Sequence, residues 1–252
     1  MKFTFTSIVA AALLLLTSVQ GAAVPPIGAQ NSATAATLPP HANSLQKRTI
    51  SGLNNYSCKL TAAHPRPLLL VHATLLSLES WWEFAPILIK HGYCVFALTY
   101  GRYKDIPLFG GLAPVEDSAQ EVADFADNIL KQMNVTQLDY VGHSQGGILG
   151  RYWMKYLGGA GKVNRQLNAG GDFAPGVIAS NIATRFDEVV TPYENCYQND
   201  PGVTNVLLQD LCLLSINEHL TMINSKVVMR YVMNQLDPST AKTANCLSAF
   251  NL

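Results

Sequence analysis

The residues best suited to chemistry in this sequence lie at 142–147, GHSQGG. A bare G-x-S-x-G pattern says little; its context raises it. A strand-like run, LDYV at 138–141, leads straight into it, and an amphipathic stretch from Ile148 to Leu157 follows. A serine on a sharp strand-to-helix turn sits in a strained backbone conformation and needs small neighbours. Gly142, Gly146 and Gly147 supply that space. Such a turn points the Ser144 hydroxyl away from the sheet and sets the Gln145 amide at a helix N-terminus. There it can donate to a developing oxyanion. The chemistry expected is nucleophilic attack on an acyl carbon.

A serine hydroxyl needs a base, and near neutral pH that base is usually histidine. On a strand–turn–helix serine the chain order is Ser, acid, His. His219 is the one histidine after Ser144, so the base role falls to it. His143 adjoins the nucleophile but must diverge from it on the turn, which makes it a packing residue. The acid orients the imidazole and stabilises its cation. Seven carboxylates intervene: Asp172, Asp187, Glu188, Glu194, Asp200, Asp210 and Glu218. Asp187 lies just beyond the end of a convincing strand, where open α/β sheets place functional groups; Glu188 is the runner-up. The second oxyanion donor should come from the loop after the first core strand, where the Thr74 amide is the candidate. Leu75, Leu76, Leu78, Trp81 and Trp82 cluster beside it, as an acyl pocket or as core.

The elements that must position these groups alternate. Residues 68–72 (LLLVH) and 93–98 (YCVFAL) read as strands buried on both faces. Helical stretches are expected at 80–91, stopping at Gly92, and from 114 to about Met133, with Glu116 and Asp117 in the first turn. Strand 138–141 and helix 148–157 come next. Residues 158–176, rich in Gly and Asn, contain no strand-like apolar run. Regularity returns at 177–183, with a last strand at 204–208 and a helix near 226–236. This alternation implies an α/β fold with a mostly parallel sheet flanked by helices.

The chain has 252 residues, 17 basic and 17 acidic, 48% hydrophobic. That excludes a disordered chain and leaves no basic excess for binding nucleic acid. Lys2, the nine-residue apolar run at 8–16 and the small residues Val19 and Gly21 read as a signal peptide over 1–21. The run is too short to span a bilayer. Residues 22–48 lack acidic residues and end at Lys47-Arg48, as a pro-segment cut at a dibasic site would. The working domain is then 49–252. Losing Lys2, Lys47 and Arg48 changes the balance to 14 basic against 17 acidic residues, net −3. Export favours disulfides among Cys58, Cys94, Cys196, Cys212 and Cys246, whose spacing is not metal-like. It also gives meaning to the glycan acceptor triplets at Asn55 and Asn134.

LLLVH, HGYCVFALTYG (91–101), FGGLAPVEDSAQ (109–120), YVGHSQGG (140–147) and TRFDEVVTPY (184–193) together resemble the class 2 secreted lipases of fungi and bacteria. These are α/β-hydrolases acting on triacylglycerols and other carboxylic esters. The resemblance implies Ser144 as nucleophile, Asp187 as acid and His219 as base. It implies disulfides Cys58–Cys94 and Cys212–Cys246, with Cys196 left over. No metal or other cofactor is expected. The expected partner is a lipid or other ester, with a lipid–water interface as the meeting place for a lipid, no membrane span and a monomeric chain. The sequence departs from the family pattern twice. Ala73 stands where glycine is usual, which would displace the Thr74 amide if φ there must be positive. After KYLGGAGKVN (155–164) the chain passes directly to RQLNAGGD (165–172). That leaves the sheet short of one core strand and a cap, or draws 177–183 into the vacancy and displaces Asp187. The rivals to an active secreted esterase are a non-catalytic binding protein and a splice form shortened at this junction.

Overall fold

The computed structural model describes residues 49–106, 108–168, 176–250 and 252. The expected signal peptide and pro-segment, and Asp172, lie outside the described residues. Strands β1 (Leu68–Val71), β2 (Val95–Ala97), β3 (Leu138–Gly142), β4 (Val163–Asn168), β5 (Ile178–Ala183) and β6 (Val203–Leu207) form one sheet in the order β2-β1-β3-β4-β5-β6. Every pairing is parallel. The helices are α1 (Phe84–Lys90), α2 (Val115–Met133), α3 (Gln145–Tyr156), α4 (Leu208–Leu211) and α5 (Lys226–Leu236).

The apolar run of β1 is buried at all four positions because both faces of the sheet are covered. Side chains alternate between faces. Leu68 and Leu70 join one apolar cluster with Phe84, Leu88, Val228 and Val232, under α1 and α5. Leu69 and Val71 join the other with Val122, Ile129, Leu149 and Trp153, under α2 and α3. The buried stripe of α2, Ala119, Val122, Ala123, Ala126, Ile129 and Leu130, recurs every three or four residues as a helix on a sheet requires. Asn134, in the left-handed conformation at φ 53°, ends it.

The sheet corrects one expectation. It is not short of a strand: β4 occupies the place between β3 and β5, so the nucleophile strand is paired on both sides. β5 stays outside β4, and Asp187 is not displaced. The sequence VNRQLN hid this strand because it is rich in polar residues, two of which find partners within the fold. Gln166 is fully buried and its amide donates to the Gly147 carbonyl (3.2 Å). Asn164 donates to Asp139 Oδ1 (3.0 Å), which also takes Arg66 Nε (3.1 Å). Only nine residues, 169–177, join β4 to β5, too few for a cap domain. The expected helix at 80–91 is a 3-10 turn, Leu78–Trp81, followed by α1.

Candidate active site

In a parallel sheet all strand C-termini point one way, and the loops leaving them gather the candidate residues. Ser144 stands two residues past the end of β3, at φ 53° and ψ −120°, a strained conformation for a residue with a side chain. A methyl group on Gly146 would collide with the Val71 carbonyl oxygen and come within 2.7 Å of the His72 carbonyl. One on Gly142 would come within 2.5 Å of the Gly147 amide nitrogen. The glycines around the serine are therefore steric requirements of the turn.

His219 Nε2 lies 2.8 Å from Ser144 Oγ, and Nδ1 lies 2.8 Å from Asp187 Oδ2. Burial would raise the Asp187 carboxyl, but hydrogen bonds from His219 and from the Val190 and Val189 amides outweigh it and hold the group below the usual carboxylate range. Those amides donate to Oδ1 at 2.7 and 3.0 Å, leaving Oδ2 for the imidazole. An ionised Asp187 only accepts, so Nδ1 carries the hydrogen and Nε2 is free to accept from the Ser144 hydroxyl. The rival acids are elsewhere. Glu188, Glu194 and Asp210 are exposed. Glu218 caps its own turn, accepting from the Leu220 (2.7 Å) and Thr221 (2.9 Å) amides.

Several contributors were not legible in the sequence. His143 does more than pack. It is buried, burial lowers its pKa to about 4, and neutral Nε2–H donates to the His219 carbonyl at 2.8 Å. Gln209 links the Asp187 and His219 loops, accepting from the Arg185 amide (2.9 Å) and donating to Thr184 Oγ1 (3.1 Å) and the Ser215 carbonyl (3.0 Å). No motif marks a glutamine for that position. The disulfide Cys212–Cys246 closes the start of the His219 loop, and Cys58–Cys94 ties the N-terminal segment to the residue before β2. Cys196 is free and buried, and burial pushes its thiol up to about 12. Asn55 and Asn134 are exposed.

The Gln145 amide opens α3, while the Gly146 and Gly147 amides return to the His143 and Ser144 carbonyls. The Gln145 side chain accepts from the Tyr100 hydroxyl, which also lies 2.8 Å from the His72 carbonyl. Ala73 is not in the left-handed region; Leu75 is, at φ 62°. The strain expected of alanine at this position does not arise. The peptide that carries the Thr74 amide is held through its carbonyl, which accepts from His72 Nδ1 (2.7 Å) and the Leu76 amide (3.1 Å). Peptide planarity then fixes the direction of the Thr74 N–H.

Ser144, His219 and Asp187 open on a cavity of about 50 Å³, lined further by Trp81, Leu167, Ile182, Val228 and Tyr231. Of the apolar cluster beside Thr74, Trp81 lines this cavity, whereas Leu75 and Trp82 are exposed. Among the described residues no group of three or more His, Cys, Asp and Glu is placed to hold a metal ion, and no helix is long and apolar enough to cross a membrane.

A family model described as the alpha/beta hydrolase fold matches residues 66–157. No curated protein matches this sequence. Among solved structures, lipase B of Aspergillus fumigatus superposes with a TM-score of 0.55 at 15% identity, over 83% of this chain and 64% of that one. This chain thus spans less than two thirds of that lipase. A carboxylesterase of Nitrososphaera gargenis superposes with a TM-score of 0.50 at 14% identity, over 74% of this chain and 92% of that one. The chain has the α/β-hydrolase fold, a six-stranded parallel sheet flanked by helices.

Proposed function

We propose that this chain is a secreted serine hydrolase of carboxylic esters, favouring apolar, lipid-type esters, as the class 2 secreted lipases it resembles do. The observation that carries the reading is the hydrogen-bonded relay Ser144–His219–Asp187, two contacts of 2.8 Å ending on a low-pKa carboxylate. His219 takes the Ser144 proton as the hydroxyl oxygen attacks the ester carbonyl carbon. The Gln145 and Thr74 amides donate to the oxyanion. Collapse expels the alcohol, to which His219 returns the proton, leaving an acyl-serine. Water, deprotonated by the same histidine, then releases the acid.

Leu213, Leu214 and Ile216, between the disulfide cysteine and His219, are 75–80% exposed. Phe186 and Val189 flank Asp187, and Leu75 follows Thr74, all exposed. Large exposed apolar side chains on the loops that carry the site suit an apolar substrate or its interface with water. The two disulfides and the exposed glycan triplets fit an exported protein. The rival reading as a non-catalytic binder rested on Ala73 and on the missing segment; residue 73 is not left-handed and β4 fills the sheet, while the 169–177 connection remains too short for a cap. The test is hydrolysis of p-nitrophenyl esters and emulsified tributyrin by the purified chain. Turnover abolished by Ser144→Ala is expected. Absence of turnover, or equal turnover by the variant, refutes the proposal.

A further inference from the structure

The cavity beside Ser144 runs sideways across the sheet. Val141 of β3 pairs with Leu167 of β4, and Leu167 pairs with Ser180 of β5. All three line the cavity, so its floor is one cross-strand row about 10 Å wide, two inter-strand spacings. α5 roofs it with Val228 and Tyr231. Tyr231 reaches across to β5, where its hydroxyl donates to Ser180 Oγ at 2.5 Å, and Ser180 in turn donates to the Thr204 carbonyl at 3.2 Å. Both hydroxyls are used within the fold, so this end offers an entering chain an apolar wall and a stop.

We propose that this cavity is an acyl-chain subsite for short chains, closed by the Tyr231–Ser180 pair. The proposal rests on Ser144 being the nucleophile. Size carries it. The cavity volume is only about 50 Å³, which suits a short chain and not a long one. A longer acyl chain must leave the cavity, forgoing the burial of its outer methylenes. Tyr231 is thereby a specificity-determining residue: the roof and floor limit the width, and its phenol limits the length.

The test is the chain-length profile of p-nitrophenyl esters, acetate to laurate, on the purified chain and on Tyr231→Leu and Val228→Ala. The kcat/KM should peak among the short chains, below octanoate, and fall at least about tenfold by octanoate, since a misfit methylene costs about that much. Tyr231→Leu should raise the octanoate-to-butyrate ratio about tenfold, and the smaller change Val228→Ala should move it the same way. Labelling by a fluorophosphonate reports that each protein is folded around its serine. A wild-type profile rising through octanoate or laurate overturns the subsite. So does an unchanged ratio in variants that still label. A wild-type chain that neither labels nor hydrolyses any ester refutes the hydrolase reading instead.

Discussion

Replacing Asp187 by Asn probes the proposed relay with little change of shape. Oδ1 of Asp187 is committed to two backbone amides, Val190 and Val189. An asparagine must therefore keep its carbonyl oxygen towards those N–H groups and turn its NH₂ towards His219. A donor now faces Nδ1, which becomes an acceptor, and the ring hydrogen moves to Nε2. The histidine then donates to Ser144 instead of accepting from it, and cannot take the serine proton. Inverting that tautomer in a serine–histidine–acid relay costs about 10⁴ in turnover, about 5 kcal/mol of transition-state stabilisation. The fold should be spared, because both amide bonds survive and no volume changes. Measured on p-nitrophenyl butyrate, Asp187→Asn should lose about four orders of magnitude in kcat with its thermal midpoint within a few degrees of wild type. A variant retaining more than about a tenth of wild-type kcat would refute the assignment of the acid and the tautomer argument together.

Acid should destabilise the protein in two windows. Burial lowers the pKa of His72 and of His143 to about 4 from 6.5, so between those values the unfolded chain binds more protons than the folded one. Stability therefore falls as pH drops from 6.5 towards 4, with a slope approaching two protons in the denaturation midpoint. Asp187, held below 3.8, adds a further loss as pH falls through its folded value. A flat denaturation midpoint between pH 7 and 4.5 would contradict the neutral buried histidines. Gly146→Ala drives a methyl group into the Val71 and His72 carbonyls, which are backbone and cannot yield; a loss of about 3 kcal/mol, read by thermal denaturation, is expected along with loss of turnover. Ala73→Gly should do little for catalysis, because residue 73 is not left-handed. Turnover within about threefold of wild type and a stability cost of about 1 kcal/mol are expected, whereas a large gain in turnover would mean the alanine does obstruct the Thr74 amide.

Much of the fold was legible because its signals are local. The LLLV run, the amphipathic stripe of α2 and the glycines around Ser144 each carry their reason in a few adjacent residues. The base was legible by elimination, since one histidine follows Ser144, whereas Asp187 was favoured over its neighbour Glu188 only by its place after a clear strand. β4 was not legible, because a strand is recognised by apolar content and this one buries Gln166 against a partner, Gly147, far along the chain. The supports of the site were hidden for the same reason. Whether His143 reaches the carbonyl of His219, or Gln209 spans two loops, depends on contacts across 76 and 25 positions. The shape of the cavity likewise follows from Tyr231 meeting Ser180, a pairing of a helix with a strand that no spacing rule anticipates.

The claim on which the rest stands is that Ser144 is a nucleophile activated by His219. It is tested most directly by peptide mass spectrometry of the protein after treatment with a fluorophosphonate. The account predicts one adduct, on the peptide containing Ser144, formed at a rate that His219→Ala reduces by several orders of magnitude. An adduct on another residue, no adduct at all, or a rate unaffected by His219→Ala would contradict it.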